Sequence, residues 1–326
     1  MINDKNNLKD NMEMLKFDEA TKQVKELSEK TLVKSPLIIR EYTKHLAASH
    51  GKYIRAMSVL MCAENKEGLV HPNAVKIGAA VELLHLATLV HDDVIDNADL
   101  RRGDITLQKK YGKRTAVICG DYLLCTALKL ASSISNKEEY LKLNIPDYMS
   151  RVCLGELNQH VNNANLNLSI YQYLKIISGK TAALFEASFH AGAVFSGCGQ
   201  DEYKKYRQLG YYIGMIFQLT DDCIDFEDTV ETAGKPVQSD YEQGVITLPL
   251  IHALKNISGL RQKAEKEKLT RKEINEAVRL SDGLGFTRMV VDKYFKKAEK
   301  IILELDITEN KREKLMSLLK KATRIN

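Results

Sequence analysis

The 326-residue chain reads as an all-α protein. Apolar residues recur at helical spacing almost throughout, and no run alternates apolar and polar residues as a half-buried strand would. The glycine-rich spots fall between helical segments rather than in hairpins. Apolar content of 44% and charged content of 28% match an ordinary globular chain. No Pro-, Gly- or Ser-rich linker divides it, and it has no low-complexity stretch or short-period repeat. One all-α domain over residues 1–326 is expected, with roughly a dozen helices around a central bundle.

The elements follow in order. Ser35-Pro36 reads as an N-cap followed by proline at the first helical position. Asn65 to Asn73 reads as a loop, and the apolar run Leu83 to Val90 as a helix that ends in acidic residues. Asn97 to Asp104, Ile134 to Pro146 and Asn162 to Asn167 read as connections. Ala182 to Gly199 is the longest apolar stretch, but it contains Glu186 and His190 and reads as a buried helix rather than a membrane span. Gly214 to Leu219 leads into a second acidic cluster, and Asp228 to Gly244 is weakly patterned. The remainder, from about residue 256, reads as amphipathic helices without a chemical motif.

Charge and cysteine usage narrow the function. A net charge of +5 without a dense basic block argues against nucleic acid as a partner. The six cysteines form no C-x-x-C pair, so zinc and redox motifs are unsupported, and the thiols suit a reducing compartment. The N-terminus is polar and lacks the apolar core of a signal peptide. A cytoplasmic protein is expected.

The chemistry concentrates in two clusters of one shape, Asp92-Asp93-Val94-Ile95-Asp96 and Asp221-Asp222-Cys223-Ile224-Asp225. Helical positions four apart share a face, so Asp92 and Asp96 aim at one point, as do Asp221 and Asp225. Like charges at that spacing, near a helix C-terminus, destabilise the helix unless a cation neutralises them. Mg²⁺ takes oxygen ligands and usually combines one or two carboxylates with substrate phosphates. Basic pairs lie close by: Arg101-Arg102 after the first cluster, and Lys52 with Arg55 in a glycine-marked turn. Guanidinium forks suit a diphosphate.

These residues resemble the trans-isoprenyl diphosphate synthases, the polyprenyl synthetase family, in a medium- or long-chain form. The resemblance runs from about residue 35 to residue 255. It rests on Gly51-Lys52 with Arg55, Glu82 to His85, His91 to Gly103, Gly120-Asp121, Gly155-Glu156 with Gln159, and Gly179 to Ala182. It continues through Phe217 to Asp222, Gly234 to Pro236, and Gly244 with Thr247 to Pro249. The resemblance implies a large helical bundle of the isoprenoid synthase type with a central active-site cavity, in a homodimer. It implies a transferase of isoprenoid biosynthesis, a Mg²⁺-dependent prenyltransferase. Such an enzyme joins isopentenyl diphosphate head-to-tail to an allylic diphosphate, farnesyl or geranylgeranyl.

The site residues it implies are as follows. Asp92, Asp96 and Asp221 hold Mg²⁺, three ions per site, against the allylic diphosphate. Asp93, Asp222 and Asp225 ligate through water or orient those ligands. Arg101, Lys180 and Lys235 neutralise the allylic diphosphate, and Lys52, Arg55, His85 and Arg102 hold isopentenyl diphosphate. Thr181 and Gln218 place dipoles near the developing allylic cation. The chain departs from the family pattern at Ala56, where proline is usual, and at Tyr53, where a basic residue is common.

Product length follows from the turn above Asp92. Short-chain members place aromatics there, whereas this chain has Ala87 and Thr88. An open floor predicts an all-trans product in the hexaprenyl to octaprenyl range. The alternative is geranylgeranyl diphosphate, if a deeper residue such as Leu83 or Leu84, or one from the Tyr122 to Leu128 helix, closes the path. A class I terpene cyclase shares the first motif but usually carries a mixed Asn/Ser/Thr/Glu second motif. A ferritin-like di-iron site needs Glu-x-x-His twice, and only Glu82 to His85 supplies it. A calcium loop fails because Asn97 stands where its glycine belongs. A non-catalytic partner subunit would usually lose the Asp motifs, and this chain keeps both. Arg324, near the terminus, is a candidate to close over diphosphate.

Overall fold

The structure is a computed structural model and describes residues 13–48, 51–101, 103–227 and 239–324. Its helices are α1 (Phe17–Val33), α2 (Arg40–Ala48), α3 (Ile54–Ala63), α4 (Pro72–Ile95), α5 (Leu107–Tyr111) and α6 (Lys113–Ala131). There follow α7 (Lys137–Lys142), α8 (Ile145–Val161), α9 (Ile170–Ile177), a π turn (Ser178–Ala182), α10 (Ala183–Phe195) and α11 (Gln200–Glu227). The chain closes with α12 (Ser239–Glu242), α13 (Leu248–Asn256), α14 (Leu260–Lys266), α15 (Arg271–Leu280), α16 (Gly283–Glu304) and α17 (Glu309–Ala322). Helices outnumber the expected dozen because several are pieces of one or two turns.

Two helices organise the rest. α4 packs against α1, α3, α6 and α10, and α10 packs against α3, α8 and α11. One apolar cluster gathers α9, α10, α11 and the C-terminal helices around Phe185, Phe189, Ile213 and Leu219. Others join α1, α3, α4 and α10, and α4 with α6. α4 starts cleanly because Pro72 occupies its first turn and His71 accepts from the Asn73 amide at 3.1 Å. It is a 24-residue helix of mean hydropathy 1.4, long and apolar enough by composition to cross a membrane. This corrects the expectation that Ala182 to Gly199 is the longest apolar stretch. Here the helix is apolar because other helices surround it.

Three local expectations change. Ser35 is not an N-cap: its hydroxyl donates to the Thr31 and Leu32 carbonyls at 3.2 and 2.9 Å, tying off the end of α1, and α2 begins only at Arg40. The Asn97 to Asp104 loop contains a minimal antiparallel ladder, with Leu100 opposite Ile105 and Arg101 opposite Asp104. A second ladder pairs Leu15–Lys16 with Leu69–Val70. Two-residue ladders are too short to leave a period in a sequence. Within Ile134 to Pro146, Asn136 caps α7 by accepting from the Glu138 and Glu139 amides.

Candidate active site

The two acidic clusters lie at the C-terminal ends of α4 and α11, and the π turn joins their surroundings. Lys180 and Thr181 lie in that turn. Lys180 Nζ is 3.0 Å from Glu156 Oε2, and its charge also acts on Asp92. Thr181 donates to Gln218 Oε1 at 2.6 Å, and Gln218 Nε2 donates to Asp222 Oδ1 at 2.8 Å. A π turn widens the helix and re-aims consecutive side chains, a geometry common at functional sites. α8 approaches so closely that a Cβ on Gly155 would sit 2.2 Å from the Lys180 amide nitrogen. Glycine at 155 and 179 is therefore what lets Glu156 and Lys180 meet.

In the first cluster, Asp93 is buried and accepts from Arg101 Nε at 2.6 Å. Asp96 is exposed at the end of α4, and Asp92 is half-buried. Burial, reinforced by Glu156 and Asp96, pushes the Asp92 carboxyl up to about 7 against the pull of Lys180 and Arg101. Burial alone would lower Lys180, but Glu156 and Asp92 outweigh it and hold the ammonium above the usual lysine range. In the second cluster, Asp222 is enclosed; Tyr173 donates to one of its oxygens and Gln218 to the other. Burial raises Asp222 to about 7 even though both donors favour the charged form. Asp225 is buried, while Asp221 is half-buried and pairs with Arg324 Nη1 at 3.0 Å. The Arg324 guanidinium also lies 5.0 Å from the Phe217 ring centroid.

This donor set fits a hard divalent cation. It is all oxygen, and burial raises the cost of leaving Asp92 charged without one. Among the described residues no three carboxylate, imidazole or thiol groups converge to cage a cation on their own.

The basic residues divide. Arg55 lies 4.7 Å over the Phe185 ring, and Lys52 is exposed. His85 lies half-buried on α4. Arg102 and Lys235 lie outside the described residues. At the Ala56 departure, the Ala56 amide donates to Glu82 Oε1 at 2.9 Å, a bond that proline would lack. Sequence reasoning quoted Glu156 but gave it no role; its pairing with Lys180 was visible only as a glycine-marked motif on each of two separate helices. Tyr173 carried no signal at all.

Below Asp92 an apolar cavity runs along α4, past His91, Thr88, Ala87, Leu84 and Val81 to Ile77. Fifteen residues separate Ile77 from Asp92, about 22 Å of helix. The Thr88 hydroxyl donates to the His85 carbonyl at 2.8 Å, so its polarity is satisfied within the helix. Deep in the cavity stands Tyr148, whose hydroxyl meets His190 Nδ1 at 3.2 Å beside Glu186. Glu186 is gripped by Arg151 at 2.7 Å and Arg207 at 2.9 Å, and burial with Arg207 pushes His190 down to about 4. A second cavity, of about 280 Å³, touches Asp225 and Arg271. Arg271 pairs there with Glu242 at 2.9 Å.

A charged mouth built from two acidic helix ends over a deep apolar channel defines an enzyme acting on a diphosphate with a hydrocarbon tail. The chain belongs to the polyprenyl synthetase family, whose model matches residues 36–281. It is 35% identical over 266 residues to heptaprenyl diphosphate synthase component 2 of Bacillus subtilis (strain 168), covering 80% of this chain and 75% of that protein. Its fold matches heptaprenyl diphosphate synthase from Staphylococcus aureus with a TM-score of 0.87 and 33% identity, over 96% of this chain and 99% of that one. It also matches a polyprenyl synthase from Caulobacter crescentus CB15, complexed with calcium and isoprenyl diphosphate. There the TM-score is 0.85 and the identity 31%, over 94% of each chain. The protein is an all-α prenyltransferase of isoprenoid biosynthesis.

Proposed function

We propose that the protein condenses isopentenyl diphosphate head-to-tail with farnesyl or geranylgeranyl diphosphate and makes an all-trans product of hexaprenyl to octaprenyl length. The observation that carries this reading is the cavity that continues past Ala87 and Thr88 to Ile77. An aromatic side chain at either position would stop a growing chain one turn below Asp92. The heptaprenyl synthases among the relatives support the length.

The residue roles are those the family resemblance implies. Asp92, Asp96 and Asp221 would hold Mg²⁺, three ions in this reading, and the bound metal would act as Lewis acid on the departing diphosphate. Asp93, held by Arg101, and Asp222, held by Tyr173 and Gln218, orient the neighbouring carboxylates, and Asp225 supports the second cluster from its buried face. Lys180 and Arg101 draw the allylic diphosphate in, together with Lys235. Lys52, Arg55, His85 and Arg102 receive isopentenyl diphosphate. Thr181 and Gln218 turn their dipoles toward the allylic carbon as its C–O bond breaks. The double bond of the second substrate then forms the new C–C bond, and a proton leaves to the released diphosphate. The apolar cavity keeps water from the cation.

Residues 1–326 act as one domain in this reading, since clusters of buried residues recur along the whole described chain. A cytoplasmic setting is supported by six free thiols. Exposed apolar residues on α6 and α8, among them Ile118, Leu154 and Leu157, support a homodimer.

The test is a product assay with Mg²⁺, farnesyl diphosphate and labelled isopentenyl diphosphate, with the dephosphorylated prenols resolved by length. A ladder ending at one prenol of thirty to forty carbons is expected from the hexaprenyl to octaprenyl reading, about five carbons per unit. A twenty-carbon end point would sink the length. No incorporation by folded protein would sink the reaction. Ala87→Phe is expected to shorten the ladder, and an unchanged ladder would remove Ala87 from length control.

A further inference from the structure

Three aspartates of the two clusters are already held. Asp93 accepts from Arg101, Asp222 accepts from Tyr173 and Gln218, and Asp221 pairs with Arg324. The Asp92 carboxylate has no ion pair or hydrogen bond among the described residues. Yet Lys180 stands near enough for its charge to act on Asp92. A lysine ammonium is a point charge on a flexible stem, free to pair with a carboxylate within its reach. In so buried a place an ammonium on Asp92 would compete strongly with any metal ion for the same oxygens. Lys180 is turned elsewhere, to Glu156, whose Oε2 lies 3.0 Å from its Nζ. Both side chains are 23% exposed, so water screens the pair only partly. Against burial, the charges of Glu156, Asp92 and Asp96 act on Lys180 in that order. The backbone fixes this choice of partner. A Cβ on Gly155 would lie 2.5 Å from the Gly179 carbonyl carbon, and one on Gly179 would lie 2.8 Å from the Gly155 Cα. Glu156 follows the first glycine and Lys180 the second, so the contact of α8 with the π turn presents one charge from each side.

We propose that Glu156 is a positioning residue: it holds the Lys180 ammonium away from Asp92, which leaves Asp92 open to a divalent cation and Lys180 ready for diphosphate. This deepens the synthase reading and rests on it. A diphosphate carries more negative charge than one carboxylate, so Lys180 can turn to it from Glu156 while Asp92 is left to the cation. With Lys180 on Asp92 instead, the ammonium would have to be displaced before the cation could bind. Glu156 acts through Lys180 in this account, not through its own charge on the cation, and that difference is measurable.

The test is a double-mutant cycle on the binding of Mn²⁺ alone, read by electron paramagnetic resonance without turnover. Glu156→Gln keeps the side-chain shape and removes the charge. It is expected to weaken Mn²⁺ binding by about tenfold while Lys180 is present, and to change it by less than about twofold in a Lys180→Met background. Equal losses in the two backgrounds would overturn the proposal, because Glu156 would then act on the cation directly. No loss in E156Q would also overturn it, as would a wild type that takes up no Mn²⁺, since Asp92 would not be open. Steady-state assay supplies a second readout. E156Q is expected to raise the Mg²⁺ concentration for half-maximal prenyl transfer while leaving the KM for isopentenyl diphosphate unchanged. A matching rise in that KM would mean general damage to the site and would overturn the specific role. If E156Q does not fold, Glu156→Asp carries the test, because its carboxylate keeps the charge but stops one methylene short of Lys180. It is expected to weaken Mn²⁺ binding only with Lys180 present, and wild-type binding would overturn the proposal. Loss of all incorporation by wild type would instead remove the synthase reading, and the binding cycle, which needs no turnover, is read separately.

Discussion

Two helix ends with the same D-D-x-x-D pattern have become different devices. At the end of α4, the middle aspartate is tied to a cation, Arg101, and the leading aspartate faces Lys180 and Glu156. At the end of α11, the middle aspartate is tied to neutral donors, Tyr173 and Gln218, and the leading one is covered by Arg324 from the end of the chain. α4 ends at Ile95, so the first cluster spans the last helical turn and its cap, Asp96, whereas α11 continues to Glu227 and keeps the second inside a helix. The first cluster is thus held by a charged partner and the second by neutral donors, with Arg324 over its leading aspartate.

The largest effect should come from removing the charge that receives substrate. Asp92→Asn is expected to lower kcat/KM by about 10³-fold, the scale of losing an electrostatic stabiliser of the departing group. Steady-state assay checks it, and a loss under tenfold would make the first cluster dispensable. The brace comes next. Tyr173→Phe leaves one oxygen of buried Asp222 without its donor, the other keeping Gln218, and should cost about 2 kcal/mol of stability. Urea unfolding measures that cost. If Y173F instead matched wild type in stability while losing activity like D92N, the two clusters would not differ in kind.

The pH dependence sharpens the same contrast. Asp92 and Asp222 are both raised from 3.8 to about 7, so each holds its proton more tightly when folded. Their contribution to stability is fully present below about pH 4 and is lost as pH rises from about 4 to about 7. The Tm of the metal-free protein should fall across that window. Mg²⁺ with inorganic diphosphate should restore the Asp92 share, while the Asp222 share should disappear only in Asp222→Asn. A Tm that rises through the window would reverse both assignments. The smallest effect belongs to Arg324, whose side chain is 36% exposed and screened. Arg324→Ala should tighten Mg²⁺ binding by up to about fivefold by removing a competitor for Asp221. Calorimetry reads this directly, and weaker binding would make Arg324 a helper of the metal instead.

Much of this was legible beforehand, and unevenly so. The helices carrying Asp92 and Asp221 follow from apolar periodicity, and the i, i+4 carboxylates follow from helical pitch. Arg101 was placed correctly beside the first cluster because it is eight residues from Asp93. Tyr173 was invisible because it lies 49 residues from the aspartate it braces. Ser35 misled because a hydroxyl before proline can cap either the helix behind it or the one ahead.

The sequence by itself determined the helical class, the two acidic ends and the small residues at Ala87 and Thr88 that leave the channel open. These are local properties, written in periodicity and side-chain size within a few turns. Only the tertiary structure decided which aspartate is braced and that Glu156 pairs with Lys180. Those outcomes depend on how closely helices distant in sequence approach, and such approach is set by packing at positions such as Gly155 against Lys180, which no local pattern records.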